Sequence, residues 1–190
     1  MKQQLILITG ERLNRHDIIA RLNSRNRIEA FEAAKKIWNI DGNALAKELI
    51  QVLRSGRRPF NRAAAAYAMQ SVSTPATIAA LEQTLRSETE ASDVRGHAAE
   101  ALAHGHRKST HALMRQYLKD SSKDVRFWCA FALGEMEDVA AIPDLKLLVK
   151  DKREVRGFHS VADEAADAIK TIEQRSSGRA CPYCVRKRSH

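Results

Sequence analysis

A motif rich in small residues recurs four times along the chain. Its copies begin at positions 61, 94, 125 and 161, so the period is 31 to 36 residues. Small side chains stand three and four positions apart in each copy, which places them on one face of a helix. The three columns are Ala65, Ala98, Cys129 and Ala165; Ala66, Ala99, Ala130 and Ala166; and Ala68, Ala101, Ala132 and Ala168. Because alanine lets helix axes approach to the short end of the usual ~8–10 Å separation, the motif predicts closely packed helices, with Cys129 as a small buried hydrophobe.

Amphipathic segments fill the intervals between these motifs. Apolar residues stand at helical spacing in four of them, at 44–53, 77–85, 110–118 and 141–149. We expect Ser24, Asp93 and Asp124 to be helix N-caps. A single helix pair cannot bury both of its faces, whereas stacked pairs can. The alternation therefore predicts an all-α stack of helix pairs.

The chain divides by composition into three predicted parts. These are an N-terminal cap segment at 1–24, the repeat array at 25–173, and a flexible basic tail at 174–190. The segment "LILITGERLN" lacks the glycine-lysine pattern of a phosphate loop, which leaves an N-terminal cap or a short strand. Its "LILI" is too short to span a membrane or to form the core of a signal peptide, so we predict a soluble, cytoplasmic protein.

The copies "DVRGHAAEALAHG" and "DVRFWCAFALGEMEDVAAIPDLKLLVKD" resemble HEAT repeats, in particular the short type named after the phycobilisome (bilin) lyases. This resemblance implies a right-handed α-solenoid of about four to five HEAT-like helix pairs. HEAT repeats often carry an inter-repeat ladder formed by an Asp between the paired helices and an Arg that begins the second helix. Asp120 and Arg126 match that spacing, while Arg95 and Arg156 match only the Arg position.

Several proteins with similar repeats are enzymes, and their signatures can be sought here. Deoxyhypusine hydroxylases bind iron through His-Glu pairs that follow the "VR" positions. In this chain those positions are Gly96-His97 and Phe127-Trp128, and the sequence contains no His-Glu dipeptide. The sequence thus favours a non-enzymatic scaffold or adaptor, and a bilin lyase-like enzyme or chaperone stays as an alternative.

One helix stripe carries the candidate binding residues. The variable column of the motif holds Tyr67, Glu100, Phe131 and Asp167, and its two acids predict that it faces solvent. In HEAT arrays the second helix of each pair lines the concave surface, so the resemblance makes this stripe a groove floor. The predicted groove residues are Tyr67, His97, Glu100, Trp128 and Phe131. Exposed aromatic rings are typical anchors for a protein partner, although Trp128 and Phe131 could instead pack sideways between helices.

Two sets of residues have the chemistry of metal ligands. His97, Glu100 and His104 lie at helical spacing i, i+3 and i+7, but nothing in the sequence completes a coordination shell around them. Cys181, Cys184 and His190 provide two or three ligands at the end of the chain, where zinc normally needs four. We therefore predict no firm cofactor, with zinc at the cysteine pair as an alternative to a loose tail.

The net charge of +9 is concentrated at the two ends of the chain. Residues 1–62 carry 13 Lys/Arg against 6 Asp/Glu, and residues 174–190 carry five basic residues and no acid. Such basic segments allow a second hypothesis, a nucleic-acid-binding protein. Its candidate contacts are Arg12, Arg15, Arg21, Arg25, Arg27, Arg54, Arg57, Arg58, Arg186, Lys187 and Arg188.

Overall fold

A computed structural model describes residues 6–8, 11–39, 42–104 and 108–176. The described residues form ten α-helices and one short antiparallel hairpin. The strands are β1 (Ile6–Ile8) and β2 (Glu11–Leu13). The helices are α1 (Arg15–Leu22), α2 (Arg27–Ile37), α3 (Ala46–Ser55), α4 (Pro59–Ala68), α5 (Pro75–Arg86), α6 (Ser92–Ala103), α7 (Lys108–Tyr117), α8 (Lys123–Glu135), α9 (Ile142–Leu148) and α10 (Val161–Ser176).

The chain forms two compact units, unit 1 (Met1–Gly105) and unit 2 (His106–His190). In unit 1 the pairs are α1 with α2, α3 with α4, and α5 with α6, and α4 packs between α2 and α6. In unit 2 α7 pairs with α8 and α9 pairs with α10, and α8 packs along α10. These five pairs confirm the predicted all-α fold. We call α2, α4, α6, α8 and α10 the inner helices.

The alanine columns of the inner helices are buried in the two units, with one exception. Every member of the first column is fully buried, including Cys129. In the second column Ala66, Ala99 and Ala130 are fully buried, but Ala166 is exposed. Ala166 lies on α10, the last helix that the structure describes, so no later described helix covers it. A repeat column therefore changes from core to surface at the end of the array.

We expect Ala130→Leu to lower the free energy of unfolding by about 1–3 kcal/mol, because the extra methylenes have no space in a closely packed helix contact. Ala166→Leu is the matched control, since it makes the same change in the same repeat column at an exposed position. Urea melts of both variants measure the difference. If Ala130→Leu and Ala166→Leu lowered the free energy of unfolding equally, helix packing would not explain why alanine recurs in this column.

Several predicted helix boundaries need correction. Asn26, not Ser24, caps α2 by accepting a hydrogen bond from Ile28 N at 2.9 Å. Asp93 and Asp124 lie in the first turns of α6 and α8, one position inside those helices, where a negative charge is favoured by the helix dipole. Helix α10 extends to Ser176, so the predicted tail does not begin at 174.

A repeated arginine contact joins consecutive repeats inside each unit. In unit 1 Arg62 donates to Gly56 O and to both carboxylate oxygens of Glu90, each at 2.8 Å. In unit 2 Arg126 donates to Asp120 O at 2.5 Å and to Asp151 Oδ2 at 2.8 Å. The two arginines hold equivalent motif positions, and each bonds a carbonyl six residues earlier.

The Arg126 contact is an inter-repeat pair of the kind that the resemblance implies. Its carboxylate belongs to Asp151 of the next repeat, whereas the side chain of Asp120 accepts a hydrogen bond from Ser122 N at 2.8 Å. Arg95 donates to Leu85 O at 3.0 Å. Arg156, the other residue that matched the motif, is exposed.

Candidate functional site

The inner helices of unit 1 carry a cluster of aromatic rings. Tyr67 of α4 lies 5.6 Å from Phe31 of α2 and 5.6 Å from His97 of α6, measured between ring centroids. Trp38, at the end of α2, stacks against Tyr67 at 4.5 Å and donates from Nε1 to Tyr67 O at 3.2 Å. These tilted and edge-on contacts fix each ring against its neighbours.

Side chains of α2 and α6 also meet each other across α4. Phe31 and His97 are 5.3 Å apart, and Arg27 Nη2 lies 3.4 Å from Asp93 Oδ2. Ala64, on the same stripe of α4, is fully buried. Side chains of three inner helices therefore contact one another across the inner surface of unit 1.

His97 is held between two carboxylates of its own helix. Its Nδ1 donates to Glu100 Oε2 at 2.9 Å, and its Nε2 lies 3.6 Å from Asp93 Oδ1. Burial, with the charge of Glu100, raises the pKa of Tyr67. The expectation that this column faces solvent holds for Asp167, which is exposed, but Tyr67 and Glu100 are half-buried. Their tertiary neighbours cover them in a way that the spacing of the two acids did not indicate.

The proposed metal set on α6 is split by the end of the helix. His97 and Glu100 bond each other, whereas His104 is exposed at the C-cap. Among the residues that the structure describes, no group of three or more His, Cys, Asp or Glu side chains is arranged to hold a metal ion. Cys181, Cys184 and His190 lie outside the described residues, so the zinc hypothesis stays a prediction.

A second aromatic cluster lies in unit 2, around Trp128 of α8. Its ring is nearly perpendicular to those of Phe127, Phe131 and Phe158, with interplanar angles of 81°, 83° and 79° and centroid distances of 5.2, 5.6 and 5.1 Å. Trp128 is only 9% exposed, and Phe131 is half-buried. Of the two alternatives for Trp128, sideways packing is therefore the one that its burial supports, because three phenylalanine rings pack around it.

The exposed ring of this cluster belongs to Phe158, which the sequence analysis missed. Phe158 is 53% exposed. It lies in the segment between α9 and α10, where the fourth motif copy has extra residues, "GFH", between its "VR" and its alanines. That insertion was the one available signal, because no repeat column exists there to compare.

A tight turn holds Phe158 against α8. Phe158 N donates to Val155 O at 2.9 Å, and Val155 N donates to His159 O at 3.2 Å. Gly157, the third residue of this turn, has φ +84°, in the left-handed region that glycine adopts without strain. Ser160 and Asp163 form a capping box that begins α10 directly after the turn.

A buried carboxyl lies beside the aromatic cluster of unit 2. Glu164 Oε2 is 2.8 Å from His159 Nε2, and Glu164 is 7% exposed. Burial raises the pKa of Glu164 to about 7, and the charges of Asp167 and Glu135 act in the same direction, while His159 opposes them. A titration near neutral pH therefore takes place next to the rings of unit 2.

The basic candidates divide into paired and exposed side chains. Arg15 contacts Glu48 and Ala44 O, while Arg27 contacts Asp93 and lies 5.4 Å from the Phe31 ring. Arg21 and Arg58 are half-buried, and Arg25, Arg54 and Arg57 are exposed, as Arg15 and Arg27 also are. The structure describes only the backbone of Arg12, in β2, and it does not describe Arg186, Lys187 and Arg188.

Paired helices and repeated arginine contacts define an α-solenoid class of repeat protein, and comparison with known proteins agrees. The family model described as HEAT repeats matches residues 16–103 and 85–158. The chain belongs to the HEAT-repeat family. No curated protein matches it.

A solved structure of human deoxyhypusine hydroxylase in complex with glycerol is similar to this chain at 26% identity, with a TM-score of 0.52. The match covers 64% of this chain and 43% of that one, so the chain spans less than half of its length. None of the helices in the described part of the chain has both the length and the apolarity needed to cross a membrane.

Proposed function

We propose that this HEAT-repeat protein is a scaffold that binds a protein partner through its inner helices. The observation that carries the proposal is the half-exposed ring of Phe158, which is packed against Phe127 and Trp128. A ring held in this way loses little conformational freedom on binding, and rigid aromatic anchors dominate many protein interfaces. Phe131 belongs to the same surface, while Trp128 supports it from below.

Phe158→Ala is expected to abolish partner capture by the immobilised protein, because it removes the exposed anchor and leaves the buried rings in place. Leu147→Ala is the matched control. Leu147 is 64% exposed on α9, so the change removes a similar exposed apolar area from another surface of unit 2. Capture from a lysate of the native host, followed by mass spectrometry, compares the two variants. Equal capture by wild type and Phe158→Ala would contradict the proposal.

In unit 1 the corresponding surface is more enclosed. Tyr67, His97 and Glu100 stay part of the proposed binding surface, with Trp38, which is 39% exposed, at its edge. We assign these side chains mainly a positioning role, because their rings and carboxylates already contact one another. The proposed anchor of unit 2 can therefore be tested separately from them.

A second candidate function rests on the exposed arginines of unit 1. Arg25, Arg54 and Arg57 are exposed, as phosphate contacts require. Nucleic-acid affinity falls steeply with salt because bound phosphates release counterions, whereas an aromatic protein interface responds weakly. Titration with duplex DNA at two salt concentrations separates the two functions. The bilin lyase-like alternative would instead require a bound prosthetic group, visible in the absorption spectrum of the purified protein.

A further inference from the structure

We propose that the inner face of unit 2 binds a cationic side chain, an arginine or a lysine of a partner polypeptide. This inference rests on the proposed function and specifies the chemistry of the partner. The surface joins one stripe of α8 to one stripe of α10. Trp128, Phe131 and Glu135 lie at i, i+3 and i+7 on α8, and Glu164 and Asp167 lie at i and i+3 on α10.

The two stripes are held close together by a direct contact of the helix backbones. A Cβ atom on Gly134 would lie 3.0 Å from the Cα of Ala168, so the helices are nearly in van der Waals contact there. Glu135 and Asp167 are the chain neighbours of these two residues. This close contact brings carboxylates from two helices to one surface, beside the aromatic rings of α8.

This surface has more carboxylates than cationic side chains, and three of the carboxylates are those of Glu135, Glu164 and Asp167. Glu164 is near enough to Asp167 and Glu135 for both to disfavour its ionisation. His159 pairs with Glu164, and the guanidinium of Arg175 lies 3.3 Å from Glu137 but 3.9 Å from Glu135. Arg153, in the segment before α10, is bonded to Asp151 instead. An added cation would reduce the repulsion among the three carboxylates.

The exposed groups of this surface are aromatic rings and carboxylates, the two kinds of group that bind a long cationic side chain. Phe158 is half-exposed, Asp167 is exposed, and the Glu135 side chain is 41% exposed. Aromatic faces attract ammonium and guanidinium groups, and a carboxylate beside them completes the charge. A phosphate backbone has the wrong sign for this surface, so nucleic acid is disfavoured here.

The test uses the full-length chain and four peptides of identical sequence except for a central arginine, lysine, glutamine or glutamate. Trp38 and Trp128 are the two tryptophans of the chain, so each gives an indole N–H signal in an NMR spectrum. We expect the arginine and lysine peptides to shift the Trp128 signal and to leave Trp38 unchanged. The glutamine and glutamate peptides should bind about tenfold more weakly, because neither brings a cation to the three carboxylates.

Variants separate the roles of charge and ring. Asp167→Asn should lower the affinity for the arginine peptide about fivefold, a typical loss for a charge at an interface. Phe158→Ala should lower it about tenfold, a typical loss for an aromatic anchor. Glu173→Gln is the matched control, because it neutralises another exposed acid of α10 that is not one of the three carboxylates. Thermal melts verify that each variant is folded.

The pH dependence gives an independent measurement. A bound cation favours the ionised form of Glu164, whose pKa is about 7, so affinity should increase from pH 6 to pH 8. His159, Asp167 and Glu135 face the same carboxyl. Glu164→Gln should flatten the increase.

Two results would overturn the cation site. If the glutamine peptide binds as tightly as the arginine peptide, the surface does not recognise the positive charge. The proposal that Phe158 binds a partner would still stand. If no peptide shifts Trp128, or if duplex DNA shifts it instead, this face does not bind cationic polypeptides. The capture experiment with Phe158→Ala then decides the proposed function separately.

Discussion

Arg126→Ala is expected to lower the free energy of unfolding by about 3–5 kcal/mol, because it removes the buried cation of the Asp151 ion pair and leaves two backbone carbonyls without their donor. The side chains of Arg126 and Asp151 are only 5% and 10% exposed, and Arg126 also satisfies the carbonyls of Asp120 and Ser121. Denaturant unfolding at pH 7 measures the loss.

Arg153→Ala is the matched control, because Arg153 bonds the same Asp151 carboxylate from the solvent side, with its own side chain 61% exposed. Hydrogen bonds from Arg153 and Arg126 hold the pKa of Asp151 at about 2. Arg153 has the larger effect on that pKa, but its guanidinium is solvated before and after folding, so we expect a small effect on stability. Equal losses for both arginines would show that burial is not what makes the Arg126 contact strong.

The pH dependence of this ion pair has a defined sign. Asp151 has a lower pKa in the folded state, about 2, than its ordinary value of 3.8. Its stabilising contribution is therefore complete above about pH 4 and is lost as the pH falls towards 2. The difference in stability between wild type and Arg126→Ala should decrease over the same interval.

Glu164→Gln is expected to stabilise the protein at pH 8 by up to roughly 2–3 kcal/mol and to change its stability little at pH 4. Burial raises the pKa of Glu164 from 4.5 to about 7, so the folded state keeps a proton that the unfolded chain has released. Wild-type stability should fall as the pH rises between these two values. Neutral glutamine removes that cost, although it also loses part of the contact with His159.

Thermal or urea melts at pH 4 and pH 8 test this expectation, with Asp167→Asn as the control on the exposed side of α10. The exposed carboxyl should give a much smaller difference between the two pH values. If Glu164→Gln destabilises the protein equally at both, the hydrogen bond to His159 contributes more than the buried charge costs.

The helix pairs and their core could be predicted because they depend on local periodicity. Alanines three and four residues apart define a helix face wherever the chain places them, and Ala66, Ala99 and Ala130 are all buried. Helix caps were less predictable. Asn26 lies two residues from Ser24, and either could cap α2, so the turn geometry decided between them.

The candidate site depended on contacts between residues that the repeat does not relate. Trp128 was assigned from its column, but three phenylalanine rings cover it, and one of them lies in the inserted turn at Phe158. Phe158 has no fixed offset from Trp128 in the repeat. The partner of Arg126 does have one, because Asp151 stands in the next repeat at the place that Asp120 holds in its own.

By itself, the sequence determined an all-α array of HEAT-like helix pairs with alanine at the helix contacts, because a face of small residues can be buried only against another helix. Only the tertiary structure decided which members of each column are covered. Ala166 and Ala130 share a column but not an environment, and the ring of Phe158 stays half-exposed while that of Trp128 is buried. The physical reason is that the burial of a side chain depends on which neighbouring side chains cover it. The repeat specifies those neighbours only where the next repeat has the same length.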